Sequence, residues 1–426
     1  MFDTTTGSLL LPDEESADIF AKLESGQKPN LPKEIQTLVD DGVIMGKITI
    51  PGPQTLSPKS LCMIVSHACN LNCTYCSLGS VTGEGTTMSI ETARKTLDWL
   101  VPNAPGQKID IDFFGGEPLL AWETVKDSIL YGNELAKKND KNLRWSISTN
   151  AVGLTDEILD FCDEKYVSLV LSLDGAKQAN DVFRLTKLGQ SSYDKVLSNI
   201  LKVVARRERG YYVRGTYTSK TINFADEVIT LHKLGIKSLA FEPVVTSDPD
   251  LALTNEMLPV IRREYEKLAK YYVDQKLSGN PFRYYHFELD LEQGPCIRKS
   301  AGGCGAGAEY LAVSPNGTFY VCHQLDGMKD FSLGNLDNPP SQSDFDVWTQ
   351  NNHLLSKPVC LNCWAMFLCS GGCLAANKTT KGDIRSLHDV GCEIQKIRLE
   401  VALWINSYLR ICGTNASSSV SDFSNS

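Results

Sequence analysis

Short β-rich runs alternate with amphipathic segments through the middle of the chain. Between Leu61 and Val245 there are six such runs and five segments of helical period. The predicted strands are 61–66, 109–114, 145–149, 167–173, 213–218 and 239–242, and the predicted helices are 89–100, 122–138, 155–162, 193–209 and 224–234. This alternation predicts an α/β fold with a parallel sheet, curved into a partial (β/α)6 barrel. We expect the chemistry at the carboxyl ends of its strands.

The regions on either side have different patterns. Residues 1–52 predict a small module with a hairpin over Phe2 to Leu11 that turns at Thr6-Gly7, helices over 13–23 and 32–41, and a strand over 43–50. The further expected units are the barrel at 58–246, a helical connector at 247–290, a cysteine-rich domain organised by metal ligands at 291–395, a helix at 396–412 whose amphipathic pattern begins at about Glu393, and a disordered tail at 413–426.

Charge and composition narrow the class of protein. The 426 residues include 51 acidic and 42 basic side chains, a balance that disfavours nucleic acid and anionic membranes as partners. The start, Met1-Phe2-Asp3-Thr4, lacks a signal-peptide pattern, and no apolar run is long enough to span a membrane. We therefore expect a cytoplasmic protein, in which 14 cysteines more often hold metal than form disulfides.

Three cysteines directly follow the first predicted strand of the barrel. Cys69, Cys73 and Cys76 have C-x3-C-x2-C spacing. Three thiolates can hold three irons of a [4Fe–4S] cluster and leave the fourth iron free for a ligand. Zinc is the alternative, and it would need a fourth ligand, for which His67 is the local candidate.

Polar and glycine-rich motifs follow the next three strands. They are Gly115-Gly116-Glu117-Pro118, Ser148-Thr149-Asn150 and Ser172-Leu173-Asp174-Gly175. Each motif alone is typical of a turn or a helix start, but their order behind the three cysteines resembles the radical S-adenosylmethionine (SAM) superfamily. The resemblance implies that the first motif contacts the SAM amino group and that the other two contact the ribose and adenosine. Arg184 or Arg214 would balance the SAM carboxylate.

The C-terminal cysteines have a second diagnostic spacing. Cys304 and Cys322 flank Gly317, and a C-x2-C-x5-C-x3-C run and one more cysteine follow, at 360, 363, 369, 373 and 392. This arrangement resembles the SPASM domain of radical SAM peptide and protein modifiers. The resemblance implies one auxiliary [4Fe–4S] cluster on Cys296, Cys304, Cys322 and Cys373, and another on Cys360, Cys363, Cys369 and Cys392. Two zinc ribbons would require more C-x2-C pairs than the single one present.

Two features of this region stay open. Cys296 either closes the first auxiliary cluster or leaves it an iron that is free to bind a substrate thiolate. Of the three remaining cysteines, Cys62 and Cys162 have apolar neighbours typical of core positions, and Cys412 has no partner that the sequence identifies.

The residue after Cys322 bears on the reaction. Sulfatase maturases carry an aspartate there, whereas this chain has His323, a candidate base near neutral pH although a lone histidine beside a ligand more often supports that ligand. Cys322-His323-Gln324 and the run at 331–335 resemble thioether-forming maturases, including the SCIFF set. The resemblance implies a radical SAM oxidoreductase that links a cysteine sulfur to a carbon of an acceptor residue through a 5′-deoxyadenosyl radical.

The same resemblance implies the cofactors and partners. They are SAM, three oxygen-sensitive [4Fe–4S] clusters, a cysteine-containing ribosomal precursor peptide with a leader, and a one-electron reductant such as flavodoxin or ferredoxin. Residues 1–52 resemble a winged-helix module that binds a leader as an added strand, or they simply cap the barrel. The alternatives are carbon–carbon crosslinking, epimerisation, sulfatase activation, and a non-enzymatic iron–sulfur carrier or zinc scaffold.

Overall fold

One sheet of ten strands organises most of the chain. The structure is a computed structural model that describes residues 2–3, 8–45, 49–76, 78, 85–289, 291 and 296–412. The strands are β1 Ser60–Ser66, β2 Lys108–Gly115, β3 Asn142–Thr149, β4 Ser168–Ser172, β5 Tyr211–Tyr217, β6 Ser238–Pro243, β7 Arg283–Tyr284, β8 Tyr310–Val313, β9 Thr318–Tyr320 and β10 Ser332–Asn335.

The strand order is β10-β9-β8-β1-β2-β3-β4-β5-β6-β7. All neighbours from β8 to β7 pair in parallel, and β9 pairs antiparallel with both β8 and β10. The six consecutive strands β1 to β6 confirm the predicted partial barrel of an α/β fold. Parallel neighbours place the three-cysteine loop and the motifs at one common edge of the sheet.

Fifteen α-helices are described. They are α1 Glu14–Glu24, α2 Lys33–Asp40, α3 Ile90–Asn103, α4 Trp122–Lys138, α5 Asp156–Glu164, α6 Lys177–Asn180, α7 Tyr193–Arg206, α8 Phe224–Lys233, α9 Leu258–Leu277, α10 Ile297–Ala301, α11 Gln342–Asn352, α12 Pro358–Leu361, α13 Met366–Cys369, α14 Leu374–Lys381 and α15 Asp389–Ile411. Two of the barrel helices, α3 and α5, begin at a capping side chain: Ser89 accepts a hydrogen bond from Thr92 N and Thr155 from Ile158 N. None of the described helices is long and apolar enough to cross a membrane.

Side-chain alternation gives the barrel strands two different faces. In β2, Ile109, Ile111 and Phe113 are fully buried in the main core, whereas Asp110 and Asp112 line a cavity inside the barrel. The same alternation in β3 and β5 adds further polar residues to this interior. The barrel therefore has an apolar outer face that packs on the helices and a polar lumen.

The cysteine-rich region continues the barrel sheet, a connection that its sequence pattern did not predict. Strand β8 pairs in parallel with β1, with Cys62 opposite Ala312, and Leu311, Ala312 and Val313 are completely buried. Helix α15 begins at Asp389, before the predicted Glu393, and it packs on α9 of the predicted connector. The predicted tail at 413–426 lies outside the described residues.

The N-terminal segment forms its own small core. Phe2 pairs antiparallel with Leu9, and the predicted turn at Thr6-Gly7 lies outside the described residues. Helices α1 and α2 enclose a separate cluster built on Ile19, Phe20, Ile35 and Ile44. The strand predicted over 43–50 is wrong in its described part, because Val43 to Met45 form a bend between two residues of positive φ, Gly42 (68°) and Met45 (55°).

Candidate functional site

The three-cysteine loop and the strand-end motifs line one cavity. Cys69, Cys73 and Cys76 border a space of about 270 Å³ at the carboxyl ends of the strands. The predicted residues that also line it are Gly115, Gly116, Ser148, Thr149, Asn150, Ser172, Arg184 and Arg214. The structure thus brings together most of the residues that were predicted to bind a cofactor. We refer to this space as the loop cavity.

Hydrogen bonds fix the conformation of the loop. Asn150 Nδ2 donates to Asn70 Oδ1 at 2.7 Å and lies 3.7 Å from Cys69 Sγ, which also accepts from Leu71 N at 3.4 Å. At the other end of the loop, the Tyr75 hydroxyl donates to Asp174. The loop is therefore tied to the ends of β3 and β4.

Gly115 and Gly116 are needed for the close packing of β2 against the loop. A Cβ atom on Gly115, whose φ is +140°, would lie 2.1 Å from the carbonyl oxygen of Ser66. On Gly116 it would lie 2.4 Å from the carbonyl oxygen of Ala68. Any side chain at these positions would push the loop away from the strand ends.

Glu117 and Pro118 do not line the loop cavity. Glu117 is 1% exposed, and its carboxylate accepts hydrogen bonds from Thr149 Oγ1 at 2.6 Å, Asn150 N at 2.8 Å and Leu119 N at 3.0 Å. Burial raises the pKa of Glu117, and these bonds lower it. Pro118 starts the short 3₁₀ turn Pro118–Ala121. Glu117 therefore joins the ends of β2 and β3, and its contact with a cofactor amino group stays a prediction.

The carboxylate of Asp174 is also bound by other residues of the protein. It is 3% exposed, pairs with Arg184 through an Nε–Oδ2 distance of 3.0 Å, and accepts from Thr216 N at 2.9 Å. Arg184 lines the loop cavity nevertheless. A direct contact of Asp174 with adenosine stays a prediction.

Burial opposes the ionisation of two thiols of the loop, Cys69 and Cys73. Burial raises the pKa of Cys73 to about 11, and nearby Arg184 works against that rise. Burial also raises the pKa of Cys69. A metal would have to displace these protons, as is usual for thiolate ligands. Three fixed thiols beside a cavity have the donor chemistry of a three-cysteine iron–sulfur site, so the residues fit the cofactor that the sequence predicts.

His67, the local candidate for a fourth zinc ligand, has both ring nitrogens engaged. Its Nε2 lies 2.7 Å from Asp326 Oδ2 and its Nδ1 lies 3.1 Å from Thr86 Oγ1. A zinc ligand needs one free ring nitrogen. His67 would have to give up one of these bonds to bind zinc.

The C-terminal thiols fall into two groups. Burial raises the pKa of Cys322 to about 12, and Cys373 and Cys304 add to the rise. Burial raises the pKa of Cys392 to about 11, with further contributions from Cys369, Cys360 and Cys363. The thiols that influence Cys322 and Cys392 thus differ, and the assignment of the eight cysteines to two clusters stays a prediction.

Cys296 is exposed and caps α10. Its role as a cluster ligand stays a prediction. In the described ranges, no group of three or more His, Cys, Asp or Glu side chains is arranged as the ligands of a single metal ion. The number of clusters stays a prediction as well.

His323 lies inside the barrel. It borders a cavity of about 520 Å³, here called the lumen cavity, and Gln324 rather than His323 lines the loop cavity. Its Nδ1 is 2.5 Å from the Tyr310 hydroxyl, and its ring packs edge-on against Phe114. Burial lowers the pKa of His323 to about 4, so the ring is neutral at neutral pH. Its role as a base stays a prediction.

Two charged residues near the cavities, Asp112 and Glu242, were not singled out as a site from the sequence. Asp112 accepts from Ser146 at 2.7 Å in the lumen, and burial raises its pKa to about 7. Glu242, at the end of β6, lines the loop cavity and pairs with His286 at 3.1 Å and with Arg398 at 3.5 Å. The alternation of polar and apolar residues along β2 could have indicated that Asp112 faces the barrel interior. Nothing local indicated Glu242, because its partners are distant in sequence.

Comparisons with known proteins agree with this geometry. Residues 63–232 match the radical SAM superfamily. The radical SAM cyclopropyl synthase TigE of Paramaledivibacter caminithermalis is 23% identical, over 80% of this chain and 72% of its own. A cysteine-type anaerobic sulfatase-maturating enzyme of Clostridium novyi is 25% identical, over 74% and 88%. The structure of native anSMEcpe with bound AdoMet and Kp18Cys peptide has a TM-score of 0.68 at 22% identity, over 83% and 99%.

Proposed function

Because residues 63–232 are a radical SAM domain, we propose that the protein is a SAM-dependent peptide maturase that installs intramolecular thioether crosslinks. The substrate would be a cysteine-containing ribosomal precursor peptide with a leader. The observation that carries the proposal is the loop cavity, where three thiols meet the strand-end motifs. The names of the relatives, which include a cyclopropyl synthase and sulfatase-maturating enzymes, support chemistry on peptides or proteins.

The residues of the loop cavity have two tasks. Cys69, Cys73 and Cys76 would hold a [4Fe–4S] cluster, which with SAM supplies a 5′-deoxyadenosyl radical that abstracts hydrogen from the substrate. Asn150 and Asp174 keep the loop in place through their bonds to Asn70 and Tyr75. Exclusion of water by a bound substrate would protect a radical there from side reactions.

The eight C-terminal cysteines would hold two auxiliary clusters. In this proposal, the acceptor carbon loses one hydrogen atom, the peptide thiol loses one proton, and one further electron leaves through an auxiliary cluster as the carbon–sulfur bond forms. A flavodoxin or ferredoxin would supply the electron that cleaves SAM. The module predicted over residues 1–52, in which α1 and α2 pack around their own small core, would bind the leader.

His323 favours thioether formation over sulfatase maturation. The proposed base of sulfatase maturases is an aspartate at this position, whereas here a neutral imidazole is hydrogen-bonded to Tyr310 inside the barrel. Formylglycine formation, carbon–carbon crosslinking, epimerisation and cyclopropane formation are the competing reactions within the same family. A non-enzymatic iron–sulfur carrier is the more distant alternative.

Mass spectrometry of a modified peptide tests the proposal. The reconstituted protein would be incubated anaerobically with SAM, dithionite and a cysteine-rich peptide encoded beside its gene. We expect a loss of about two hydrogens per crosslink and cysteines that no longer react with an alkylating reagent. A sulfatase-derived cysteine peptide serves as the matched control. Modified peptide with free thiols would contradict thioether formation, and conversion of the control to formylglycine would support the sulfatase alternative.

A further inference from the structure

The lumen cavity adjoins the loop cavity through a shared wall. Phe114, Ser148, Val170 and Arg214 line both spaces. A substrate group placed beside the three-cysteine loop can therefore extend into the barrel. The volume of about 520 Å³ exceeds that of the loop cavity and is ample for one amino-acid side chain.

Arg214 differs from the other arginines around these cavities. Arg144 pairs with Asp110 at 2.6 Å, and Arg184 and Arg398 pair with Asp174 and Glu242. Within the described residues, the guanidinium of Arg214 has no hydrogen bond or ion pair. Burial raises the pKa of Asp112 in the same cavity and the charge of Arg214 lowers it, but the two side chains form no ion pair among the described residues. A half-buried cation that makes no direct ion pair is costly, because it loses hydration and gains little in return. Its position on both cavity walls means that a ligand can supply the missing anion.

The neighbours of Arg214 also suit an anion. Tyr212 lies two residues earlier on β5 and so shares its lumen face, and burial raises the pKa of Tyr212 to about 12. Its hydroxyl, which has no partner within the described residues, is therefore a neutral hydrogen-bond donor. Asp112, with a pKa of about 7, adds less than a full negative charge at neutral pH. Asp110 and Arg144 of the same cavity pair with each other. What remains is one cation, one neutral donor and a partly protonated acid, a balance that favours a monoanion over a phosphate dianion.

We propose that the lumen cavity is a subsite for a carboxylate-bearing side chain of the substrate, bound by Arg214 and Tyr212. This rests on the proposed function for the peptide nature of the substrate. The residue that enters the barrel is then aspartate or glutamate, with its carbon chain next to the loop cavity and its carboxylate in the lumen. Arginine presents paired donors that match the two oxygens of a carboxylate, which gives the subsite its selectivity.

Binding of two small probes to the reconstituted, SAM-loaded protein tests this subsite. N-acetyl-L-glutamic acid α-amide carries the side-chain carboxylate, and N-acetyl-L-glutamine α-amide is its neutral match. We expect anaerobic calorimetry to show at least about tenfold tighter binding of the acid, and Arg214→Gln to remove that difference. Arg214→Lys should retain part of it. The control Arg263→Gln changes an exposed residue of α9 and should retain all of it.

Four results would overturn the subsite. They are equal binding of the two probes, no saturable binding of the acid, unchanged discrimination in Arg214→Gln, and stronger binding of inorganic phosphate than of the acid. A loss of SAM affinity in Arg214→Gln with the discrimination intact would assign Arg214 to the SAM carboxylate instead. Formation of 5′-deoxyadenosine by the unaltered protein is measured in parallel, because its absence would contradict the proposed function and not the subsite alone.

Discussion

Arg184 Nε lies 3.0 Å from Asp174 Oδ2, and the same carboxylate accepts a hydrogen bond from the Tyr75 hydroxyl inside the three-cysteine loop. The Arg184 side chain also lies over the Tyr75 ring, with its guanidinium carbon 5.5 Å from the centroid. An aromatic residue just before the third cysteine is thereby anchored to the end of β4. The ion pair stabilises the loop that would carry the SAM-binding cluster.

Tyr75→Phe should weaken retention of the loop cluster. The change removes a hydrogen bond to a buried carboxylate, worth about 2 kcal/mol, and keeps the ring that packs against Phe183. We expect iron to leave the loop site roughly tenfold faster in the presence of a chelator. Tyr166→Phe, at a tyrosine that is 86% exposed, is the matched control. Equal rates in the two variants would show that the Tyr75 hydroxyl does not stabilise the site.

The two auxiliary ligand sets can be separated by double substitutions. Cys369 and Cys373 are close in sequence, yet they are assigned to different clusters, whereas Cys373 shares its cluster with the distant Cys304. We expect the double variant with Cys304→Ser and Cys373→Ser to lose about four irons per chain, the same number that either single variant would lose. Cys369→Ser with Cys373→Ser should lose about eight. A loss of about four irons in the second pair would contradict the interleaved assignment.

Lys357 lies between the two groups of auxiliary thiols. It is 3% exposed, its Nζ donates to the Gly371 carbonyl at 3.0 Å, and a Cβ on Gly371 would come within 2.9 Å of that Nζ. Burial lowers the pKa of Lys357, and negative charge on Cys360 and Cys304 opposes that effect. Thiolate-bound clusters would therefore keep it protonated.

Lys357→Met should lower the reduction potential of the auxiliary clusters. A nearby cation stabilises the more negative, reduced state, so its removal should shift the potential down by on the order of 50 mV. Redox titration followed by electron paramagnetic resonance would measure the shift. Lys329→Met, at an exposed lysine, is the control. An unchanged potential at full iron content would show that Lys357 is only a packing residue.

Asp112 should make the stability of the protein depend on pH. Burial raises its folded-state pKa to about 7, above its ordinary value of 3.8, so the folded state binds more protons than the unfolded state between these values. Its contribution to stability is therefore lost as pH rises through this window. Between about pH 5 and about pH 8, the free energy of unfolding of Asp112→Asn should rise by about 1 kcal/mol relative to that of the unaltered protein. The gain is smaller than the full pKa shift would give, because water in the cavity screens part of the effect.

Unfolding at a series of pH values checks this prediction. The free energy of unfolding of Asp112→Asn minus that of the unaltered protein should grow with pH. The same difference for Asp330→Asn, at an exposed carboxyl, should stay flat. A flat or falling difference for Asp112→Asn would show that its carboxyl group is not destabilised when ionised.

The pattern of apolar and polar residues predicted the helices and strands of the barrel well, because each of these elements depends on residues that are close in sequence. Helix α4 begins and ends at the predicted residues, Trp122 and Lys138, and the six strands lie where the apolar runs lie. The position of β8 beside β1 was not predicted, because pairing between Ser60 and Tyr310 leaves no trace in local periodicity. The strand predicted over 43–50 failed for a conformational reason, the positive φ of Gly42 just before it and of Met45 within it.

The candidate site, like the fold, was predicted only in part from the sequence. The spacing of the three cysteines predicted the loop, and the resemblance to the radical SAM superfamily indicated the polar residues that share its cavity. Spacing could not predict that the carboxylates of Glu117 and Asp174 accept hydrogen bonds from neighbouring strand ends. Nor could it predict that Arg214 makes no hydrogen bond or ion pair with any residue that the structure describes. Those outcomes depend on which side chains from distant strands meet in three dimensions.

Cleavage of SAM by the reconstituted protein tests the central claim most directly. With dithionite under anaerobic conditions, the unaltered protein should release 5′-deoxyadenosine and carry about twelve irons per chain. The variant with Cys69, Cys73 and Cys76 all changed to Ala should release none and keep about eight irons. Release of 5′-deoxyadenosine by that variant, or zinc in place of iron in the unaltered protein, would contradict a SAM-cleaving cluster on this loop.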